Sequence, residues 1–321
     1  MNDGKNSKTK VLITGGFGAI GSNLRKALEA KGGYKLYVVD NLSAGIANFS
    51  TEVAFTHLDL GHTEKVNSFF SKYSPNVIFH LASHFANQNS VDHPISDTTA
   101  NVLGIINLLE AQRRNPDLQK VVYASSSCVY ANSPVMSENQ PVSPYDTPYA
   151  INKYVGELYC KYYADVQKLP VVCARIFNSY GPGEMPGAYR NVIPNFIKKA
   201  LDNEDIVITG TGDETRDFTY VSDTIDLLIR LAESAFKNAE VFNGGTGIKT
   251  PVKRLAELII KVTGSKSKIV FSAPRNWDHA IDRCSDISKS REQLNYSPTV
   301  KLEDGLVETV AWVKSKLNES T

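Results

Sequence analysis

Val11-Leu12-Ile13-Thr14-Gly15-Gly16-Phe17-Gly18-Ala19-Ile20-Gly21 is the stretch whose reading decides the fold. A short apolar run of the kind that fills a buried parallel strand enters a glycine turn, and Leu24, Ala27 and Leu28 then recur with helical spacing. The order is strand, glycine turn, helix. Glycines three residues apart leave bare backbone at a helix N-terminus, where unpaired N–H groups favour a pyrophosphate. Gly15, Gly18, Ala19 and Ile20 are the residues that would cradle it.

The next strand reads Leu36-Tyr37-Val38-Val39 and ends at Asp40. An acid about twenty residues past such a turn is placed to bind the adenosine ribose hydroxyls. Asp40 also repels a 2′-phosphate, and Asn41-Leu42-Ser43 offers no arginine to accept one, so NAD is expected over NADP. The alternation continues with a strand from Val53 to Thr56 that leads to Asp59-Leu60, a helix over Thr63 to Tyr73, and a strand Asn76-Val77-Ile78-Phe79-His80. A helix follows over Ile95 to Arg114, with Val102, Ile105, Ile106 and Leu109 on its apolar side. Lys120 to Ala124 and Val171 to Ile176 are further strands. Repeated βα units predict an α/β fold with a parallel, doubly wound sheet, whose ligands lie at the carboxyl ends of the strands. Asp59, Leu81-Ala82-Ser83-His84 and Ser125-Ser126-Ser127 all fall at such ends. His84, alone in a loop, reads first as a hydrogen-bonded structural residue.

A second stretch carries chemistry. Tyr149-Ala150-Ile151-Asn152-Lys153 puts a phenol and an ammonium on one side of a helix that starts after Pro144 and Pro148 and runs to about Gln167. Lowering a tyrosine pKa from near 10 by about 3 units takes roughly 4 kcal/mol. A cation about 4 Å away at an effective dielectric of about 20 supplies that much, so Lys153, helped by a cationic cofactor, is expected to make Tyr149 a proton acceptor. One of the serines after the Lys120 strand would then be a hydrogen-bond donor to the reacting group.

Hydrophobic residues make up 42% and charged residues 21%, and the net charge of +1 gives no global attraction to nucleic acid or an anionic membrane. Cys128, Cys160, Cys173 and Cys284 form no C-x-x-C pair and no cluster at metal-ligand spacing, so they read as reduced thiols of a cytoplasmic protein with no metal site. Residues 1–9 are polar and read as a disordered lead-in, and no apolar run reaches the length of a membrane span.

Past Tyr180-Gly181-Pro182-Gly183 the regular alternation stops. A dinucleotide-binding half over 10–180, with possible return segments from the second half, and a smaller substrate lobe over 181–317 are expected. The lobe has helices ending near Leu201, over Ser222 to Phe236, Pro251 to Val262 and Leu302 to Lys316, and a strand at Val241-Phe242-Asn243. Arg190, Asn191, Arg216, Arg275 and Arg283 recur at loop positions and together suggest an anionic substrate opposite the cofactor.

The glycine turn, Asp40, Asp59-Leu60, Val129-Tyr130, Tyr149 to Lys153, Arg175-Ile176-Phe177-Asn178-Ser179-Tyr180-Gly181-Pro182-Gly183 and Arg216-Asp217-Phe218-Thr219-Tyr220-Val221-Ser222-Asp223 occur in one order. As a set they resemble the extended short-chain dehydrogenase/reductase family, in its nucleotide-sugar epimerase and dehydratase branch. The resemblance implies a Rossmann-type fold with a small C-terminal α/β lobe, NAD held through Gly15, Gly18, Ala19, Ile20, Asp40, Asn41, Asp59, Leu60, Leu81, Ala82, Tyr149, Lys153 and Ile176, and catalysis by Tyr149, Lys153 and Ser126. It further implies a nucleotide sugar held by Ser126, Asn178, Asn191, Val192, Arg216 and Arg275, and a homodimer packed through the helices near 98–113 and 149–167. Dehydratases of the branch carry Asp-Glu after the serine, and decarboxylases commonly keep the Glu; this chain has Ser127-Cys128. The resemblance therefore favours 4-epimerisation of a UDP-hexose over dehydration. Ala131, the segment Ser83 to Gln88 and the spacing after Arg275-Asn276-Trp277-Asp278 depart from the common pattern.

Overall fold

A run of strands buried on both faces organises the molecule, described by a computed structural model over residues 8–45, 48–50, 52–85, 87–130, 133–275 and 282–319. The first half contains β1 (Thr9–Thr14), α1 (Ala19–Lys31), β2 (Tyr34–Asp40), β3 (Ala54–His57), α2 (Thr63–Phe70), β4 (Val77–His80), α3 (Asn87–Asp92), α4 (Pro94–Thr98), a π turn (Thr99–Leu103), α5 (Gly104–Gln112), β5 (Lys120–Ser126), α6 (Pro148–Asp165) and β6 (Val171–Ile176). The second half contains β7 (Ser179–Tyr180), α7 (Val192–Leu201), β8 (Ile206–Thr209), β9 (Thr215–Arg216), β10 (Thr219–Tyr220), α8 (Val221–Glu233), β11 (Asn238–Gly244), β12 (Thr250–Pro251), α9 (Val252–Thr263), β13 (Ile269–Ser272), α10 (Ser288–Leu294) and α11 (Leu302–Glu319).

Seven strands form one parallel sheet in the order β11-β6-β5-β4-β1-β2-β3. Successive side chains of a strand point to opposite faces, and β1 shows it: Val11 and Ile13 join one core with Leu24, Leu28, Leu227 and Leu228, while Leu12 joins a second with Ile105, Leu109 and Tyr163. Both faces are covered by helices, which is why these strands are near-continuous apolar runs and not alternating ones. The doubly wound α/β fold expected from the βα repeats is thus present, with β11 of the second half completing one edge of the sheet.

Three local differences have physical reasons. β1 begins at Thr9, one residue inside the expected lead-in, because Thr9 pairs with Tyr34 on β2. The helix expected over Ile95 to Arg114 is broken by the π turn, whose wider winding lets buried Asn101 donate to Asp97 Oδ1 at 2.9 Å and to the His84 carbonyl at 3.0 Å. The short α3 has no apolar period to announce it. Residues 1–7, Ala131 and Asn276-Trp277-Asp278 lie outside the described residues.

Candidate functional site

The turn after β1 enters α1 with no side chain capping the helix N-terminus. Gly15 has φ +68°, and a Cβ there would lie 2.7 Å from the Ala82 nitrogen, so only glycine lets the β1 and β4 strand ends approach this closely. Asp40, at the end of β2, accepts the Phe17 N–H at 2.9 Å and the Leu42 N–H at 2.8 Å. The uncapped helix end, the bare cradle and a fixed carboxylate fit a dinucleotide with its pyrophosphate over α1 and its adenosine ribose toward Asp40.

β5 delivers the serines and α6 the tyrosine and lysine. Thr147 caps α6 by accepting the Ala150 N–H at 3.2 Å, Pro148 occupies the first turn, and the Tyr149 N–H donates to Ser90 Oγ at 3.0 Å. A Cβ on Gly156 would fall 2.1 Å from the Tyr123 hydroxyl, so this glycine is what lets α6 lie close on β5. Lys153 Nζ donates to the Ala124 carbonyl at 2.9 Å and sits 5.7 Å from the centre of the Tyr149 ring. Ser126 Oγ accepts the Cys128 N–H at 3.2 Å, closing the turn Ser127–Val129. Beneath this group Glu157 holds Arg175 through two bonds of 2.9 and 2.7 Å, and Ser125 donates to Glu157 as well.

Burial governs the electrostatics. It raises the Tyr149 pKa above the usual phenol range, with Cys128 adding to the rise and hydrogen bonds from Ser126 and Ser83 opposing it. It lowers Lys153 to about 8, with Asp97 the leading influence in the other direction. In the protein alone the Lys153 ammonium is committed to Ala124 and desolvation of the phenolate leads, so the expected lowering of the Tyr149 pKa would have to come with the bound cationic cofactor.

One cavity of about 1040 Å³ joins these parts. It is lined by Gly15, Gly18, Ala19, Ile20, Leu81, Ser126, Tyr149, Lys153 and Ile176 on the sheet side, and by Asn178, Asn191, Val192, Arg216 and Arg275 on the other. Five expected residues do not line it. Asp40, Asn41, Asp59 and Ala82 stand at the strand ends, where Asn41 donates to Asp59 at 3.0 Å, and the Leu60 side chain packs into the core. Asn191 is in the wall, but its backbone and side-chain N–H groups both donate to Glu184, at 3.0 Å each. Burial raises the pKa of Glu184, the Asn191 bonds opposing it.

Sequence reasoning missed the network behind His84. Asn89 Nδ2 meets His84 Nε2 at 3.1 Å, Asp97 Oδ1 lies 3.8 Å from His84 Nδ1, and Asn152 donates to Asp97 Oδ2 at 2.7 Å. The one available signal was Asn152 between Tyr149 and Lys153, a polar residue on the apolar side of a helix.

A glycine-cradled helix end beside a serine, tyrosine and lysine, in a Rossmann-type sheet, defines the class of dinucleotide-dependent α/β enzymes. The sequence model of the NAD dependent epimerase/dehydratase family matches residues 11–245, and the chain belongs to that family. It is 33% identical over 315 residues to a UDP-glucose 4-epimerase of Mycolicibacterium smegmatis, covering 96% of this chain and 99% of the other. It is also 33% identical to a UDP-N-acetyl-alpha-D-glucosaminuronate decarboxylase of Bacillus cytotoxicus, over 97% of this chain and 100% of the other. A crystal structure of a UDP-glucose 4-epimerase from Thermotoga maritima, with UDP-glucose, superposes with a TM-score of 0.91 at 32% identity, covering 96% and 100% of the two chains. The protein is an enzyme of this NAD-dependent family.

Proposed function

We propose that the protein is a UDP-hexose 4-epimerase. The observation that carries this reading is one cavity in which Ser126, Tyr149 and Lys153 lie between the glycine cradle and a wall bearing Arg216, Arg275 and the N-terminus of α7, with no carboxylate on the turn after Ser126. When bound, NAD supplies a reversible hydride acceptor and donor, so a carbon can be oxidised and reduced with no net redox change. Tyr149 takes the proton of the sugar hydroxyl at C4 and later returns it. Ser126 donates a hydrogen bond to the same oxygen, and Lys153 holds the cofactor ribose and steadies the charge on the phenolate. Arg216, Arg275, Asn178, Asn191 and Val192 hold the UDP diphosphate and sugar. Elimination or decarboxylation is the weaker reading, because Ser127-Cys128 stand where dehydratases of this branch carry Asp-Glu and decarboxylases commonly keep the Glu.

We also propose a cytoplasmic homodimer. Four free cysteines support the compartment, and an exposed apolar face on neighbouring helices, with Ile95 82%, Leu158 50% and Tyr162 49% exposed, supports the pairing. Among the described residues no helix is long and apolar enough to cross a membrane.

The test is incubation of the pure protein with UDP-glucose, UDP-N-acetylglucosamine and UDP-glucuronic acid, followed by mass spectrometry and NMR. A product of unchanged mass inverted at C4 is expected. Loss of water or carbon dioxide overturns the reading.

A further inference from the structure

Glu184 lines the cavity and is only 8% exposed. One of its carboxylate oxygens accepts the Asn191 backbone N–H and the other the Asn191 side-chain amide, both at 3.0 Å. Asn191 is the N-cap residue of α7, yet its side chain caps nothing in the helix because it is turned to Glu184. The carboxylate thus holds two donors at a helix N-terminus, a setting that equally suits a phosphate oxygen. The segment that carries Glu184 reaches back to the N-terminus of α1: a Cβ on Gly183, whose φ is +112°, would meet the Ala19 carbonyl at 3.0 Å, and the Gly183 carbonyl accepts Asn48 Nδ2 at 2.7 Å. Burial raises the Glu184 pKa, and the Asn191 bonds and the charge on Arg190 oppose the rise. The charged and titratable groups on the surrounding elements are engaged elsewhere. Arg190 donates to the Ala44 carbonyl at 2.8 Å, Tyr189 to Asp92 at 3.1 Å, and Lys198 and Lys199 of α7 pair with Asp202 and Glu204. From α1 and the loop after β2 the segment meets the amides of Asn23 and Asn48. A diphosphate arriving at α7 therefore meets a carboxylate that already holds its donors.

We propose that Glu184 is a proton-linked competitor for the diphosphate site: without substrate it holds Asn191 and the end of α7, and a nucleoside diphosphate displaces it with uptake of a proton. The inference rests on the nucleotide-sugar reading above, which puts the diphosphate at Asn191 and Val192. The phosphate oxygens take over the two Asn191 donors. Glu184 then loses the bonds that favoured its charged form and gains a negative neighbour while still buried, and each change favours the neutral acid. The proton comes from solvent and returns to it when the product leaves. Because the complex binds a proton that the protein alone does not, affinity falls as pH rises from the Glu184 pKa of the protein alone toward that of the complex, by about tenfold per pH unit for one whole proton.

The test is titration calorimetry of the NAD-loaded protein with UDP-glucose, UDP-N-acetylglucosamine and UDP-glucuronic acid, whose diphosphates are esterified at both ends and do not titrate near neutral pH. Runs at pH 6, pH 7 and pH 8 in buffers of different ionisation enthalpy count the protons taken up. Net uptake is expected for the wild type, and its dissociation constant should weaken from pH 6 to pH 8 by about fivefold more than that of Glu184→Gln. The variant keeps the shape and an acceptor for Asn191 but carries no charge, so at pH 8 it should also bind more tightly than the wild type. Wild-type binding without proton uptake overturns the inference and needs no variant. The same pH slope in both proteins overturns it too, as does a variant that binds more weakly at every pH, which would make Glu184 a support for Asn191. All three outcomes leave the UDP-sugar reading standing. Failure of every one of the three sugars to bind the wild type overturns both.

Discussion

Asp97 Oδ2 accepts a 2.7 Å hydrogen bond from the Asn152 amide, which ties a fully buried carboxylate on α4 to the residue beside Lys153 on α6. Burial depresses Lys153 to about 8, and Asp97 leads the influences that hold its ammonium in place. Asp97→Asn keeps the shape and removes the charge, so Lys153 should lose its proton at lower pH. We expect the alkaline limb of the kcat profile to move down by about one pH unit, equivalent to about 1.4 kcal/mol. A pH–rate series on both proteins checks this; a limb that stays in place would show that Asp97 acts on structure alone.

Tyr149 is buried on all sides but the cavity, and its ring meets Phe85 edge-on at 6.1 Å. Tyr149→Phe retains the ring and deletes the proton acceptor. Turnover should fall by about 10²–10⁴-fold, the usual worth of a positioned acid–base group, with the thermal transition little changed. Activity within tenfold of the wild type would remove Tyr149 from the mechanism.

His80 ends β4 with Nδ1 2.8 Å from Thr14 Oγ1, and burial, aided by the charge on Lys153, lowers its pKa from 6.5 to about 3. Between those pH values the unfolded chain binds a proton that the folded one does not, so stability falls as pH drops through the window. The upper bound for this one group is about 4–5 kcal/mol. Urea midpoints at pH 7 and pH 4 should therefore differ more for the wild type than for His80→Gln.

Leu158 is 50% exposed in the middle of α6, one turn from Tyr162. An apolar stripe of this kind is stable when a second copy covers it, and Leu158→Arg places a charge there. Light scattering should give twice the chain mass for the wild type and a single chain for the variant. Equal masses would move the contact elsewhere.

Most of the sheet could be read from the chain because its inner strands are short apolar runs, and β2 and β5 end at residues with chemistry, Asp40 and Ser126, whereas β3 is half exposed and β11 ends at Gly244. The cavity residues at those ends followed from the same rule. Other features could not be read, for two reasons. The π turn arises from bonds that Asn101 makes to Asp97 and His84, side-chain partners no periodicity encodes. Likewise Glu184 on Asn191, and Arg283 on Cys128, are pairings between loops, where spacing says nothing about approach. The rise of the Tyr149 pKa in the protein alone is equally invisible in the chain's charge pattern, which shows the ammonium but not the loss of water around the phenol.

β11 pairs with β6 although residues 177–237 separate them in the chain. A nascent chain that has emerged only as far as β6 therefore exposes an open parallel edge, and it must hold that edge until the α7 to α8 excursion returns. The two halves are stitched by their order of synthesis: the second-half wall of the cavity cannot be exchanged for another by cutting once, because any transplant must carry the closing strand with it.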